Sequence, residues 1–254
     1  MPRFKLTIEY DGTGLVGWQR QDNGPSVQAF LEGALRRLSG VATQTVAAGR
    51  TDAGVHATGQ VVHADLDRDW RSDRVRDGLN FWLRDAAAPV AVLAAVAVPD
   101  RFHARFSAIG RQYLFRLLDR RPPPVLDRGR VVWTTRHLDV ERMHQAAQVL
   151  VGHHDFSTFR AAECQAASPV KTLDRLEVTR VGDEVQVVAA ARSFLHHQVR
   201  NMVGTLRLVG EGRWDIDRVV RALAACDRRQ GGPTAPAAGL YLTGVTYPAD
   251  VELE

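Results

Sequence analysis

Gly49-Arg50-Thr51-Asp52-Ala53-Gly54-Val55-His56-Ala57 lies between two strand-like segments, Thr43-Gln44-Thr45-Val46-Ala47-Ala48 before it and Gly59-Gln60-Val61-Val62-His63-Ala64 after it. Strand, tight loop, strand is the reading that organises the first half of the chain. Glycines at 49 and 54 allow sharp turns or close approach of a ligand to the backbone. They isolate a single carboxylate, Asp52, with Arg50 two residues before it. A lone Asp in such a loop suits a nucleophile held at a cleft. The same residues also fit an Asx turn, in which Asp52 bonds only its own backbone.

Outward from this loop the pattern reads βαββαβ. Phe4-Lys5-Leu6-Thr7-Ile8-Glu9-Tyr10 alternates with period two, as a strand with one apolar face does. Ser26 caps a helix bearing Val27, Phe30, Leu31, Leu35 and Leu38, and Gly40 ends it. After the two strands come a helix from about 72 to 84 and a strand over 90–98. The order then repeats. Residues 111–117 form a strand, and Asp139 caps a helix. Strands over 171–180 and 184–192 are joined by Val181-Gly182-Asp183, a hairpin turn by composition. A helix over 195–209, a further helix capped near Asp215 and a strand over 239–245 complete the half. The expected architecture is α+β: two ferredoxin-like βαββαβ halves, residues 1–105 carrying the Asp loop and 106–254 completing the site. Together they would form a largely antiparallel sheet with a central cleft and helices on the outer face.

Composition narrows the function. A chain of 254 residues with 45% hydrophobic and 24% charged residues is an ordinary globular sequence. The opening Met1-Pro2-Arg3-Phe4-Lys5 lacks a signal-peptide pattern, and the longest apolar run, over 86–98, is broken by Pro89. A cytoplasmic protein with no membrane association is expected. Cys164 and Cys226 stand far apart, without metal-ligand spacing or a disulfide framework. Net charge is +4, and Lys5 and Lys171 are the only lysines, so the positive charge is almost all arginine. Arginine forks suit phosphate and base stacking, which favours RNA, although GC-rich coding yields the same bias. Basic loops with Arg120 and Arg121, and with Arg228 and Arg229, fit RNA contact or plain connection. His56 with His63, His153-His154 and His196-His197 show no HExxH-type spacing, so structural or RNA-contact roles are expected and no metal. Trp18, Trp133 and Trp214 read as core or packing residues. Tyr10-Asp11-Gly12-Thr13-Gly14 lacks the Lys and Ser/Thr of a phosphate loop and is expected to organise the rim of the site.

Five motifs in register along the chain, the Asp52 loop among them, resemble those of the bacterial tRNA pseudouridine synthase A family. The others are Tyr10-Asp11-Gly12-Thr13 with Gly17-Trp18-Gln19-Arg20-Gln21, and Phe102-His103-Ala104-Arg105-Phe106 with Arg111-Gln112-Tyr113. Phe194-Leu195-His196-His197-Gln198-Val199-Arg200-Asn201-Met202-Val203-Gly204 and Ala235-Pro236 with Gly239-Leu240-Tyr241-Leu242 follow. Leu15 departs from the pattern, where an aromatic is usual. The resemblance implies that Asp52 is the catalytic aspartate, Tyr113 packs on the target base and Arg50 helps displace the target nucleotide. It further implies that Arg200 pairs with the carboxylate and that Leu240 lines the pocket. Read from spacing alone, Arg200 is equally a surface ion-pair residue. The implied reaction isomerises uridine to pseudouridine at positions 38, 39 and 40 of the tRNA anticodon stem-loop, in a homodimer without cofactor or metal. Attack at ribose C1′ and attack at base C6 both remain open. A non-catalytic RNA-binding or chaperone protein, or a hydrolase using Asp52, are the alternatives.

Overall fold

In the computed structural model, residues 1–251 are described. In chain order the elements are β1 (Arg3–Tyr10), α1 (Val27–Ser39), β2 (Thr45–Ala47), β3 (His56–Asp65), α2 (Ser72–Asp85), β4 (Val90–Val98) and β5 (Gly110–Leu118). They continue with β6 (Val132–Trp133), α3 (Val140–Gln148), β7 (Gly152–Asp155), β8 (Val170–Val181), β9 (Glu184–Ala191), α4 (Gln198–Gly210), α5 (Ile216–Ala224) and β10 (Leu240–Thr246). The chain is mixed α and β, with mostly antiparallel strand pairing. Where halves 1–105 and 106–254 are expected, the compact units are Met1–Arg111 with the chain from Tyr241 onward, and Gln112–Leu240. No helix among the described residues is long and apolar enough to cross a membrane.

In the first unit β1 is central. Its alternation places Phe4, Leu6, Ile8 and Tyr10 in the core. It pairs antiparallel with β3 on one side and β4 on the other, and β2 pairs antiparallel with the far side of β3. β10 adds to β3 in parallel, with Tyr241 opposite His56 and Leu242 opposite Ala57. The α1 boundaries follow local chemistry. Ser26 Oγ accepts from the Ala29 N–H, and Gly40 takes the left-handed conformation (φ +78°) that closes the helix. Leu31 and Leu35 of α1, and Leu79 and Leu83 of α2, are fully buried. A register shift in β4, between the partners of Thr7 and Ile8, disturbs the ladder at Val92. The Asn80 carboxamide of α2 answers it, accepting from Val92 N–H and donating to Val92 C=O, both at 2.8 Å. An amide side chain there stands in for a neighbouring strand.

The second unit carries the strand order β5–β9–β8–β7, with β6 parallel to the end of β5. β8 and β9 form the expected hairpin, with Gly182 at φ +59°. Asp139 and Asp215 cap α3 and α5 as their positions suggest, each accepting from the N–H three residues on. The long helix starts at Gln198 rather than near 195. His197 sits at φ +61°, which interrupts the helix, and the Gln198 side chain instead accepts from Leu195 N–H at 2.8 Å.

Burial makes one histidine a stability reporter. His63 lies inside β3, where Nδ1 accepts from the Ala104 N–H at 3.1 Å. Desolvation, then Arg3 and His103, lower its pKa to about 4. A depressed folded-state value means the neutral ring stabilises the fold above the unfolded pKa near 6.5, and this stability is lost as pH falls towards 4. Urea unfolding from pH 7 to 4 should lose up to about 3 kcal/mol from this group. His63→Asn, which keeps an acceptor but does not titrate, should flatten that part of the profile.

Candidate active site

Residues 48–55 connect β2 to β3 in the first unit. Their turn is closed by backbone, Val55 N–H to Asp52 C=O at 3.2 Å, with Gly54 at φ +76°. Asp52 is half-buried, Thr51 buried and Arg50 exposed. A backbone bond and a left-handed glycine thus contribute to the turn's shape. At Gly49 a Cβ would meet nothing within 4 Å, so crowding inside the protein does not explain that glycine.

The segment from Tyr10 to Trp18 holds the loop in place. Trp18 N–H donates to Thr51 C=O at 3.0 Å, and Gly54 N–H donates to Leu15 C=O at 3.3 Å. A Cβ on Gly17, which has φ +104°, would stand 2.5 Å from Thr51 O and 3.0 Å from the Asp52 carbonyl carbon. A Cβ on Gly12 would stand 2.1 Å from Val55 O. Only residues without side chains allow two backbones to approach this closely. Trp18 itself is core, and Leu15 is buried beside it in sequence, so the unusual Leu packs without exposing the loop.

Polar side chains finish the bracing. Tyr10 Oη and Thr51 Oγ1 are 2.8 Å apart, and Gln60 Nε2 donates to Gly49 C=O at 2.8 Å. Burial pushes the Tyr10 phenol up to about 12, with Thr51 and Gln60 opposing, so it stays protonated at neutral pH. His56 is buried and stacks on Tyr241, ring centroids 4.7 Å apart. Its Nδ1 accepts from Gly12 N–H at 3.0 Å, and Asp11 Oδ1 lies 3.1 Å from the same nitrogen. A ring nitrogen cannot accept and donate at once, so only one of those contacts is a hydrogen bond in any tautomer. Gly17, Gln60 and Tyr241 are supporting residues to which reading by motif gives no individual role; Tyr10 and Gly12 belong to the turn expected at the rim of the site, and His56 is expected to be structural or to contact RNA. The spacing Tyr10-Asp11-Gly12 and Gly17-Trp18 was the available signal.

The second unit holds the other three sequence-derived residues. Tyr113, on β5, is half-buried and meets Phe194 edge-on, centroids 5.2 Å apart. Arg200, in the first turn of α4, is half-buried beside buried Val199 and Val203. Its Nε donates to Ala235 C=O at 2.8 Å, while Ala235 N–H returns a bond to Arg200 C=O at 3.1 Å. That uses one of five guanidinium donors and fixes the plane of the fork. Leu240 is buried immediately after a 3₁₀ turn, Ala237–Gly239. Arg50 and Asp52 therefore share one loop of the first unit, and Tyr113, Arg200 and Leu240 belong to the second.

In the 227–238 loop, whose composition fits RNA contact or plain connection, one of the two arginines is turned inward. Arg228 is half-buried and donates to Gly232 C=O, Asn201 Oδ1 and Thr234 Oγ1 at 2.9–3.1 Å. Burial lowers its pKa, and it acts as an internal pin between α4 and the loop. Arg229 is exposed and paired with Asp227 at 2.8 Å. Trp133, read as a core or packing residue, is partly exposed, with its indole N–H on Arg120 C=O at 2.7 Å.

The glycine braces separate strain from crowding. Gly17→Ala should destabilise the protein by about 1–3 kcal/mol and depress activity, because both φ and the Thr51 carbonyl exclude a Cβ. Gly14→Ala, with φ +76° and nothing within 4 Å of the new Cβ, should lose only about 1 kcal/mol. Denaturant titrations of the two variants make the comparison.

A family model described as "tRNA pseudouridine synthase" matches residues 6–107 and 146–248. The tRNA pseudouridine synthase A of Paramagnetospirillum magneticum is 62% identical over 98% of this chain and 96% of its own length. The corresponding proteins of Beijerinckia indica and Rhodospirillum rubrum are each 60% identical, covering 99% and 98% of this chain and 96% and 89% of their own. The matched spans contain the braced Asp52 loop as well as Arg200 and Leu240. With such identity along nearly its whole length, the chain belongs to the tRNA pseudouridine synthase A family, a family of isomerases.

Proposed function

We propose that this protein converts uridine to pseudouridine at positions 38, 39 and 40 of the tRNA anticodon stem-loop, with Asp52 as nucleophile and no cofactor. The observation that carries this reading is the single half-buried carboxylate on a turn held by backbone contacts from Gly12 to Trp18. In the reaction the C1′–N1 bond breaks, the base turns, and C1′ bonds to C5, which releases its hydrogen. Nothing is transferred to or from a second molecule.

The roles of the remaining residues are those that the family resemblance implies, and their chemistry is compatible with them. Arg50, exposed beside Asp52 in sequence, occupies the stack from which the nucleotide leaves, a step that costs a few kcal/mol. Tyr113 offers an aromatic face to the everted base. Arg200 donates through Nε to Ala235 C=O; the family resemblance gives it the part of partner to the catalytic carboxylate, and gives Leu240 that of an apolar wall. The open space at the Cβ position of Gly49 is consistent with close approach of substrate. The strand order β4–β1–β3–β2 with α1 and α2 supports a ferredoxin-like reading of the first unit. The family resemblance supports a cytoplasmic homodimer in which one tRNA contacts both subunits.

The assay uses tRNA tritiated at uridine C5. Wild type should release tritium to water, while Asp52→Ala should bind tRNA with near-native affinity and release none. No release by wild type from any uridine-containing tRNA would overturn the proposal. Arg200→Lys keeps a charge but loses the fork and its Nε anchor. It should slow single-turnover release by about 10–100-fold.

A further inference from the structure

Outside the residues given roles above, one segment of the first unit combines exposure with rigidity. Phe106 is 71% exposed, and Arg105 beside it is exposed too. Solvated loops usually carry small polar residues, yet this one presents a large ring to water. Its backbone is held throughout. His103 Nδ1 accepts from both Arg105 N–H and Phe106 N–H at 3.2 Å, and Ser107 Oγ accepts from His103 N–H at 3.0 Å. Ser107 N–H closes the turn onto His103 C=O at 2.9 Å, and Tyr247 Oη donates to Ala104 C=O at 2.7 Å.

The ring is supported from beneath. The His103 ring lies 4.4 Å from that of Phe106 and tilts by 31°, while His103 itself rests against buried His63. Arg105 sits 5.5 Å from the Phe106 centroid, in cation–π range. Desolvation, then Arg3, lower the His103 pKa, which keeps the ring neutral and able to accept those two bonds. The segment is also tied to the Asp52 loop. Arg111 Nη2 donates to Arg105 C=O and to Ala48 C=O, both at 2.8 Å, and Ala48 immediately precedes Gly49. One guanidinium nitrogen thus fixes the Phe106 segment against the root of the loop that carries the nucleophile.

We infer that Arg105 and Phe106 form an RNA-contact surface beyond the reacting nucleotide, Phe106 stacking on an unpaired base of the substrate tRNA and Arg105 meeting the neighbouring phosphate. The inference rests on the reading of tRNA as substrate. An exposed aromatic ring beside a guanidinium is the pair that grips single-stranded nucleic acid without regard to sequence. Because the pair is already ordered, binding loses little side-chain entropy. Its tie to Ala48 sets a fixed offset between the stacked base and Asp52, so the contact positions substrate as well as holding it.

The test is tRNA binding by fluorescence anisotropy at several salt concentrations, alongside tritium release, for wild type, Phe106→Ala, Phe106→Trp and Arg105→Ala. Phe106→Ala should raise Kd about tenfold, and Phe106→Trp should restore it. Arg105→Ala should lower the slope of log Kd against log salt by about one. Thermal melts matching wild type show that the variants are folded, since both side chains are exposed. Unchanged affinity in Phe106→Ala overturns the inference. So does a Phe106→Ala variant whose oligomeric state changes while tRNA affinity holds, which would mark a protein contact. Wild-type tRNA binding and tritium release with a silent Phe106→Ala would sink this surface alone; wild type inactive in both would sink the proposed function with it.

Discussion

At Gly12 and Gly17 two stretches of backbone meet with no side chain between them, and the placement of Asp52 depends on that contact. Ordering a connecting loop costs about 1–2 kcal/mol per residue in backbone entropy. Here the loop is offset by bonds from Trp18 and to Leu15, by the Tyr10–Thr51 hydroxyl pair and by the Gln60 carboxamide on Gly49. These partners lie on β1, β3 and the segment after β1, all rooted in the core of the first unit. The nucleophilic role proposed for Asp52 would gain from such fixing, because small displacements reduce rate steeply.

The same economy of polar groups governs residues that look like chemistry in the sequence. His56 and His63 stand seven positions apart on β3, both buried, and each offers Nδ1 to a backbone N–H, of Gly12 and Ala104 respectively. His103 does so twice. Buried backbone donors must find acceptors, and a neutral imidazole supplies one where no strand is adjacent. Arg228 is the cationic counterpart, spent on Gly232, Asn201 and Thr234. The arginine count alone therefore overstates the positive charge offered to a partner. Arg50 and Arg105, exposed on braced loops, count for more than Arg228.

Elements with strong local signals were legible one residue at a time. Ser26 and Gly40 bracket α1, Asp139 and Asp215 start α3 and α5, and the alternation of β1 names its own buried face. Elements without such signals were not. β6 is two residues long, and β7, Gly152–Asp155, carries no apolar alternation. The start of α4 was misplaced because left-handed backbone at His197, a non-glycine residue, has no compositional mark. Among the candidate functional residues, Asp52 and Arg50 stood out in their glycine-flanked loop. Tyr113, Arg200 and Leu240 were visible only through likeness to a family, since an aromatic on a strand or an arginine on a helix is unremarkable alone.

What the sequence by itself determined is therefore the set of local choices: where helices begin and end, which strand faces are apolar, and that one carboxylate sits in a glycine-bounded turn. Caps, turns and period-two patterns act over a few residues, so they are written where they act. Tertiary structure decided which distant backbone braces that turn, that β10 adds to β3 in the first unit, and which histidines and arginines are used up inside. Those outcomes are contacts between residues tens to hundreds of positions apart. They arise when buried donors, acceptors and missing side chains are matched in space, and no run of neighbours along the chain encodes them.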